Sequence, residues 1–188
     1  MNNKLLKNFS VSVVASSLFS IASIYPSGAG VIPYVKQQGQ IHFLLGEDYH
    51  RTGMWTDFGE SGQADKATAA KEGHEETMGV FAGEDPRGGK VYNRPIRRKA
   101  TGETYFMRRL HNRHATTIHF SKTDRYKTYF IDVTNAVCSL GGKRKAIQKL
   151  RKQRAYWNKR RLEKGRKEYR VFTEKIQFKW FTQNEFII

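Results

Sequence analysis

The chain has 188 residues, 38% of them apolar and 13% aromatic, and a formal net charge of +17. That length supports one domain around one core, and the aromatic share argues against wholesale disorder. With Cys138 as its single cysteine, it has no intramolecular disulfide and no cysteine-built zinc cluster.

At the N-terminus, Lys4 and Lys7 precede an apolar, small-residue run from Phe9 to Ile24, and no acid occurs there. Small-x-small sites follow at Ser20-Ile21-Ala22 and Ser27-Gly28-Ala29. Residues 1–27 thus have the layout of a secretory signal peptide, which would be cleaved on export or secretion. A leader retained by a cytoplasmic protein, packed on the domain or unstructured, is the alternative. The run is short and Ser-rich for a stable membrane span, which needs about 20 strongly apolar residues.

Gly30 to Tyr34 and Ile41 to Leu45 read as strands, joined by a hairpin loop at residues 37–40. Residues 46–57 read as a loop in which Trp55, with Phe58 just beyond it, is a packing anchor. Asp65 to Met78 reads as a helix, favoured by Ala67, Ala69 and Ala70, weakened by Gly73 and ended by Gly79. Residues 84–101, rich in Gly, Pro and Arg, read as a loop. Glu103 to Leu110, Ala115 to Phe120 and Lys127 to Val133 have the β-branched and aromatic content of strands. Cys138, beside Val137 and Leu140, reads as a small buried side chain. Lys143 to Arg170 reads as a basic helix with Ile147, Leu150 and Trp157 on one stripe. Glu174 to Phe181 reads as a last strand.

On the 65–78 helix, Glu72, Glu75 and Glu76 stand at i, i+3 and i+4 and so project from one face. Three carboxylates that close repel one another and raise one another's pKa values. A divalent cation gives the spacing a physical use, because Mg²⁺ takes a few carboxylate oxygens together with water and substrate phosphates. An exposed charged helix face is the plain alternative.

The residues around these glutamates resemble the Nudix box. The stretch runs Gly59-Glu60-Ser61-Gly62-Gln63, then Ala67-Thr68-Ala69-Ala70-Lys71-Glu72-Gly73-His74-Glu75-Glu76, then Gly79-Val80. Gly28 to Pro33 is similar to the family's first strand, Trp55 to Gly59 to the run into the box, and Lys179 to Thr182 with Glu185 to its closing strand. The departures are Lys71 for the box arginine, Gln63 for its first glutamate, Gly73 for an aliphatic residue, and the extra residue in Thr77-Met78.

The resemblance implies an α/β fold, a Nudix-type α/β/α sandwich around a mixed sheet, over residues 28–188, with a basic helical insertion at 143–170. It implies a pyrophosphohydrolase acting on a nucleoside diphosphate derivative or another organic pyrophosphate. Glu72, Glu75, Glu76 and a loop carbonyl at Gly59 would hold Mg²⁺ or Mn²⁺. Lys71 would orient a glutamate, and Glu76 or Glu75 would activate water. The rival reading, favoured by the altered box, is a catalytically weak or inactive fold that binds RNA or another polyanion through its basic C-terminal half.

The charge distribution bears on that choice. Residues 1–85 hold 6 Lys/Arg and 10 Asp/Glu, and residues 86–188 hold 28 Lys/Arg and 7 Asp/Glu. Basic residues interleaved with Tyr156 and Trp157 in the 143–170 segment suit phosphate contacts and base stacking; a solvated charged helix is the alternative. His74 reads as a surface or packing residue, Trp55 and Tyr34 as core, and Asp57 as a loop cap.

Overall fold

A computed structural model describes residues 28–81, 106–111, 116–120, 126–165 and 170–186. The leader at 1–27 and the loop at 84–101 lie outside the described residues. The elements are β1 (Gly28–Gln37), β2 (Gln40–Asp48), β3 (Trp55–Thr56), β4 (Phe58–Ser61), α1 (Lys66–Glu76), α2 (residues 106–111), β5 (Thr116–Phe120), β6 (Tyr126–Asp132), α3 (Thr134–Ser139), α4 (Lys143–Lys164), a 3₁₀ turn at Val171–Thr173, β7 (Lys175–Thr182) and α5 (Gln183–Phe186).

The strands form one mixed sheet centred on β1. The second half of β1 pairs antiparallel with β2, and its first half pairs antiparallel with β4. Its other edge runs parallel to β6. β2 carries β3 and β7, and β5 extends the sheet from β6. The β1–β2 turn is Gln38-Gly39, with φ of 51° and 76°. Both are left-handed, as a two-residue hairpin matched to the strand twist requires.

Two apolar clusters flank the sheet. One joins Ala29, Val31 and Val35 of β1 to Ala69, Phe106, Val137 and Leu150, so α1, α2, α3 and α4 share a single core. The other holds Ile32, Phe43, Leu45, Phe130 and Phe186. The fold is therefore mixed α/β. Among the described residues, helices crowd one cluster, and only the four-residue α5 stands for the second helical layer of the expected sandwich.

Residues 106–111 are helical, where a strand was expected over 103–110. Phe106 and Leu110 are both buried, and their i, i+4 spacing puts them on one helical face. Cys138 is exposed rather than buried. On α3 it lies about 100° around from buried Val137, facing away from the core. The basic helix stops at Lys164, capped by Gly165 in the left-handed conformation, short of the expected Arg170. Trp157 on α4 stacks on Phe172 at 4.8 Å, and Leu150 is fully buried, so the apolar stripe anchors the helix.

Candidate functional site

Helix α1 starts where the Asp65 side chain accepts a hydrogen bond from Thr68 N at 2.7 Å. It packs on β1 and β4 through Ala69, Ala70 and Gly73. A Cβ at Gly73 would stand 2.7 Å from Val31 Cγ2, so the glycine that weakens the helix also lets it approach the sheet. That approach carries the glutamates inward: Glu72, Glu75 and Glu76 are each only 3% exposed.

Two lysines meet them. Lys71 Nζ lies 2.7 Å from Glu72, 3.3 Å from Glu60 and 3.6 Å from Glu75. On the inner side, Lys175 Nζ lies 3.2 Å from Glu76 Oε1 and 2.8 Å from Thr56 Oγ1. Lys175, which pairs with Asp48 across a register shift, reaches there by lying over Gly46 of β2; a Cβ at Gly46 would stand 2.6 Å from Lys175 Cγ. Glu76 Oε2 is buried and accepts no hydrogen bond among the described residues.

Burial sets the electrostatics. It pushes the Glu72 carboxyl up to about 8, against the pull of Lys71, and raises Glu76 well above the ordinary carboxylate range, against Lys175. Glu60 and Glu72 share a hydrogen bond; it lowers Glu60 and raises Glu72, which places the shared proton on Glu72. Burial works against the Lys71 charge, but the hydrogen bond to Glu72 and the surrounding carboxylates raise its pKa. Among the described residues, no three His, Cys, Asp or Glu side chains already converge as ion ligands would.

Asp57 lies in the same interior. It is not a loop cap: its carboxylate accepts from Tyr126 Oη at 3.1 Å and from Thr128 Oγ1 at 3.0 Å, deep in the sheet. Burial raises its pKa, and Lys175 opposes the rise. Side chains at Gly30 and Gly59 would overlap Asp57 and the Tyr126 hydroxyl, so those two glycines make the room for this pair.

No family model, curated protein or solved structure matches the chain.

The site therefore rests on its own geometry. Lys71, Glu72, Glu75 and Glu76 come together at one end of α1. Gly59 stands on β4 opposite Gly30 rather than in a loop. It pairs there because the Phe58–Ser61 strand continues straight into the box. Lys175 and Asp57 were not singled out as site residues in the sequence. The sequence carried no direct signal for them: Gly30 opened a strand reading, Gly46 and Gly59 fell in loop readings, and only in the folded sheet do the three glycines mark close approaches. No described helix is long and apolar enough to cross a membrane.

Proposed function

We propose that this protein is a metal-dependent hydrolase that cleaves a pyrophosphate bond in a nucleoside diphosphate derivative or related organic pyrophosphate, through a Nudix-like arrangement on α1. The observation that carries the reading is the burial of Glu72, Glu75 and Glu76 on one helix, with the proton affinities of Glu72 and Glu76 raised by it. Buried carboxylates that hold protons near neutral pH are costly and are concentrated where they serve chemistry. Among the described residues, Glu60, Glu72, Glu75 and Glu76 meet two lysines, Lys71 and Lys175, so the carboxyls outnumber the lysines, and a cation that binds there would displace the protons that Glu72 and Glu76 favour.

The donor set suits a hard divalent cation such as Mg²⁺ or Mn²⁺: carboxylate oxygens only, with Glu76 Oε2 accepting no hydrogen bond among the described residues. Such an ion, when bound, neutralises phosphate charge and acidifies a water. The chain's own residues then have distinct tasks. Lys71 holds Glu72 and Glu75 in register, as a single point charge rather than the fork an arginine would supply. Lys175 holds Glu76 from the inner side and leaves its second oxygen free of hydrogen bonds. Glu76 or Glu75 takes the proton from the attacking water.

The test is phosphate release from a panel of nucleoside diphosphate derivatives and inositol pyrophosphates with Mg²⁺ and with Mn²⁺. Turnover that vanishes with chelator is the expected result, and no turnover on any member with either metal defeats the reading. A second reading is supported by a separate observation: α4 carries eleven Lys/Arg and one acid, with Arg151 and Lys152 exposed and Lys149 half-buried. It is a catalytically weak or inactive fold that binds RNA or another polyanion along that helix.

A further inference from the structure

A cavity of about 170 Å³ lies between the Tyr49-His50 turn, the later part of α4 and residues 170–174. Arg154, Arg161 and Arg170 line it, and Glu174 is the one carboxylate there. Among the described residues, none of the three arginines forms an ion pair. Each is nonetheless held. Arg154 Nε donates to Lys175 O at 2.7 Å, and Arg161 Nη2 donates to Asn158 Oδ1 at 3.0 Å. Arg170 Nη2 lies 2.9 Å from His50 Nε2. A guanidinium cannot accept, so a neutral His50 is the acceptor in that contact. Among the described residues, Arg161 Nε is buried and has no hydrogen-bond partner. Burial and the neighbouring Arg161 charge both lower the Arg154 pKa, the mark of like charges crowded together.

Three fixed guanidinium groups around one small cavity match the oxygens of a phosphate, which arginine forks bind in pairs. Pockets that enclose whole drug-sized ligands run to about 300–1,000 Å³, so this one takes a phosphate or diphosphate group and leaves the remainder of a ligand outside. We propose that the cavity is a binding site for the phosphate or diphosphate group of a small phosphorylated ligand, gripped by Arg154, Arg161 and Arg170. None of the α1 carboxylates lines the cavity, although Glu174, which does, adds to the charge that raises Glu76, and the proposal stands whether or not the α1 carboxylates catalyse. Lys175 lies between the two: its carbonyl fixes Arg154, and its ammonium holds Glu76.

Titration calorimetry of the full chain with inorganic pyrophosphate, in metal-free buffer, tests the proposal. We expect saturable binding at one site. Arg161→Gln should weaken it about tenfold or more, the scale of a hydrogen bond to a charged group. Arg170→Gln, at an exposed position where the guanidinium meets His50, should act in the same direction if the first variant misfolds. Lys152→Gln removes the same charge from the exposed face of α4, outside the cavity, and should change affinity by less than about twofold because solvent screens it. Absence of pyrophosphate binding at millimolar concentration overturns the proposal, and so does equal weakening by Lys152→Gln. A short oligoribonucleotide that binds where pyrophosphate does not overturns it as well, because the occupant is then a nucleic-acid backbone.

Discussion

Lys175 Nζ lies 3.2 Å from Glu76 Oε1, and both side chains are almost fully enclosed. The pair ties β7, at one side of the sheet, to the end of α1. It also sets the two partners on unequal terms. Lys175 faces Asp57, Asp48 and Glu174 as well as Glu76, whereas burial drives Glu76 toward its neutral form.

Substitution should therefore be asymmetric. Lys175→Met leaves several buried carboxylates without their cation and should cost about 3–5 kcal/mol, the usual scale for breaking a buried pair. Glu76→Gln keeps shape and hydrogen-bonding capacity while discarding a charge that burial already disfavours, so it should cost far less. Urea unfolding of both variants reads the difference, and equal losses would show that Glu76 is a committed anion.

The strand content was legible in the sequence because β-branched and aromatic runs bounded by Gly and Asn-like turns have one dominant solution. Both strands around Gln38-Gly39 and the closing strand carry that pattern. The helix of Glu72, Glu75 and Glu76 was legible from spacing and from Asp65. Other features depended on partners distant in sequence. Residues 106–111 satisfy both a strand composition and an i, i+4 helical face, and only packing against Val31 and α1 selects the helix. The depth of the glutamates could not be read from α1 alone. It follows from Gly73 against Val31, and the Lys175 channel follows from Gly46, more than a hundred residues away in the chain.

Gly73→Ala isolates that close approach. Alanine gains up to about 1 kcal/mol in helix propensity over glycine. The new Cβ would press on Val31 Cγ2 and on the Phe106 ring, and overpacking a filled core costs about 1–3 kcal/mol. The expected net effect is a loss of stability, measured as a lower denaturation midpoint. A gain would mean that α1 rides higher on the sheet than 2.7 Å implies.

The raised carboxyl at Glu72 gives a pH dependence. Its folded value is about 8 against 4.5 for an ordinary glutamate, so the folded state holds the proton more tightly. Its stabilising contribution is full below about pH 4.5 and is lost as pH rises through 8. Metal-free protein should melt at progressively lower temperature between those limits. Mg²⁺ or Mn²⁺ should flatten the decline, because a bound cation replaces the proton. A melting temperature insensitive to both pH and metal argues against ion binding at these carboxylates.

If the carboxylates catalyse, Glu72→Gln, Glu75→Gln and Glu76→Gln should each lower turnover by orders of magnitude while circular dichroism stays unchanged. Lys71→Arg is the informative partner. Arginine restores the fork that can hold Glu72 and Glu75 together, so it should preserve activity or increase it. Lys71→Met should abolish it. Parental turnover in all three glutamine variants would place the chemistry elsewhere in the chain.

The basic helix supplies the remaining prediction. Arg151 and Lys152 are exposed on α4 and Lys149 is half-buried beside them, whereas Arg154 is held inward by the Lys175 carbonyl. A test of polyanion binding should therefore change the first three and spare Arg154, whose loss would disturb the segment that carries Lys175. Glutamine is close to lysine and arginine in helix propensity, so α4 should persist. Each phosphate contact on a single strand contributes about 0.7 to the slope of log affinity against log salt. Replacing all three should lower the slope for a single-stranded RNA by up to about 2, with weaker binding at low salt. Hydrolysis of small substrates should be unaffected, since none of the three touches the α1 carboxylates. An unchanged slope would mean that the exposed face of α4 is a solubilising surface, and that its charge has no part in binding.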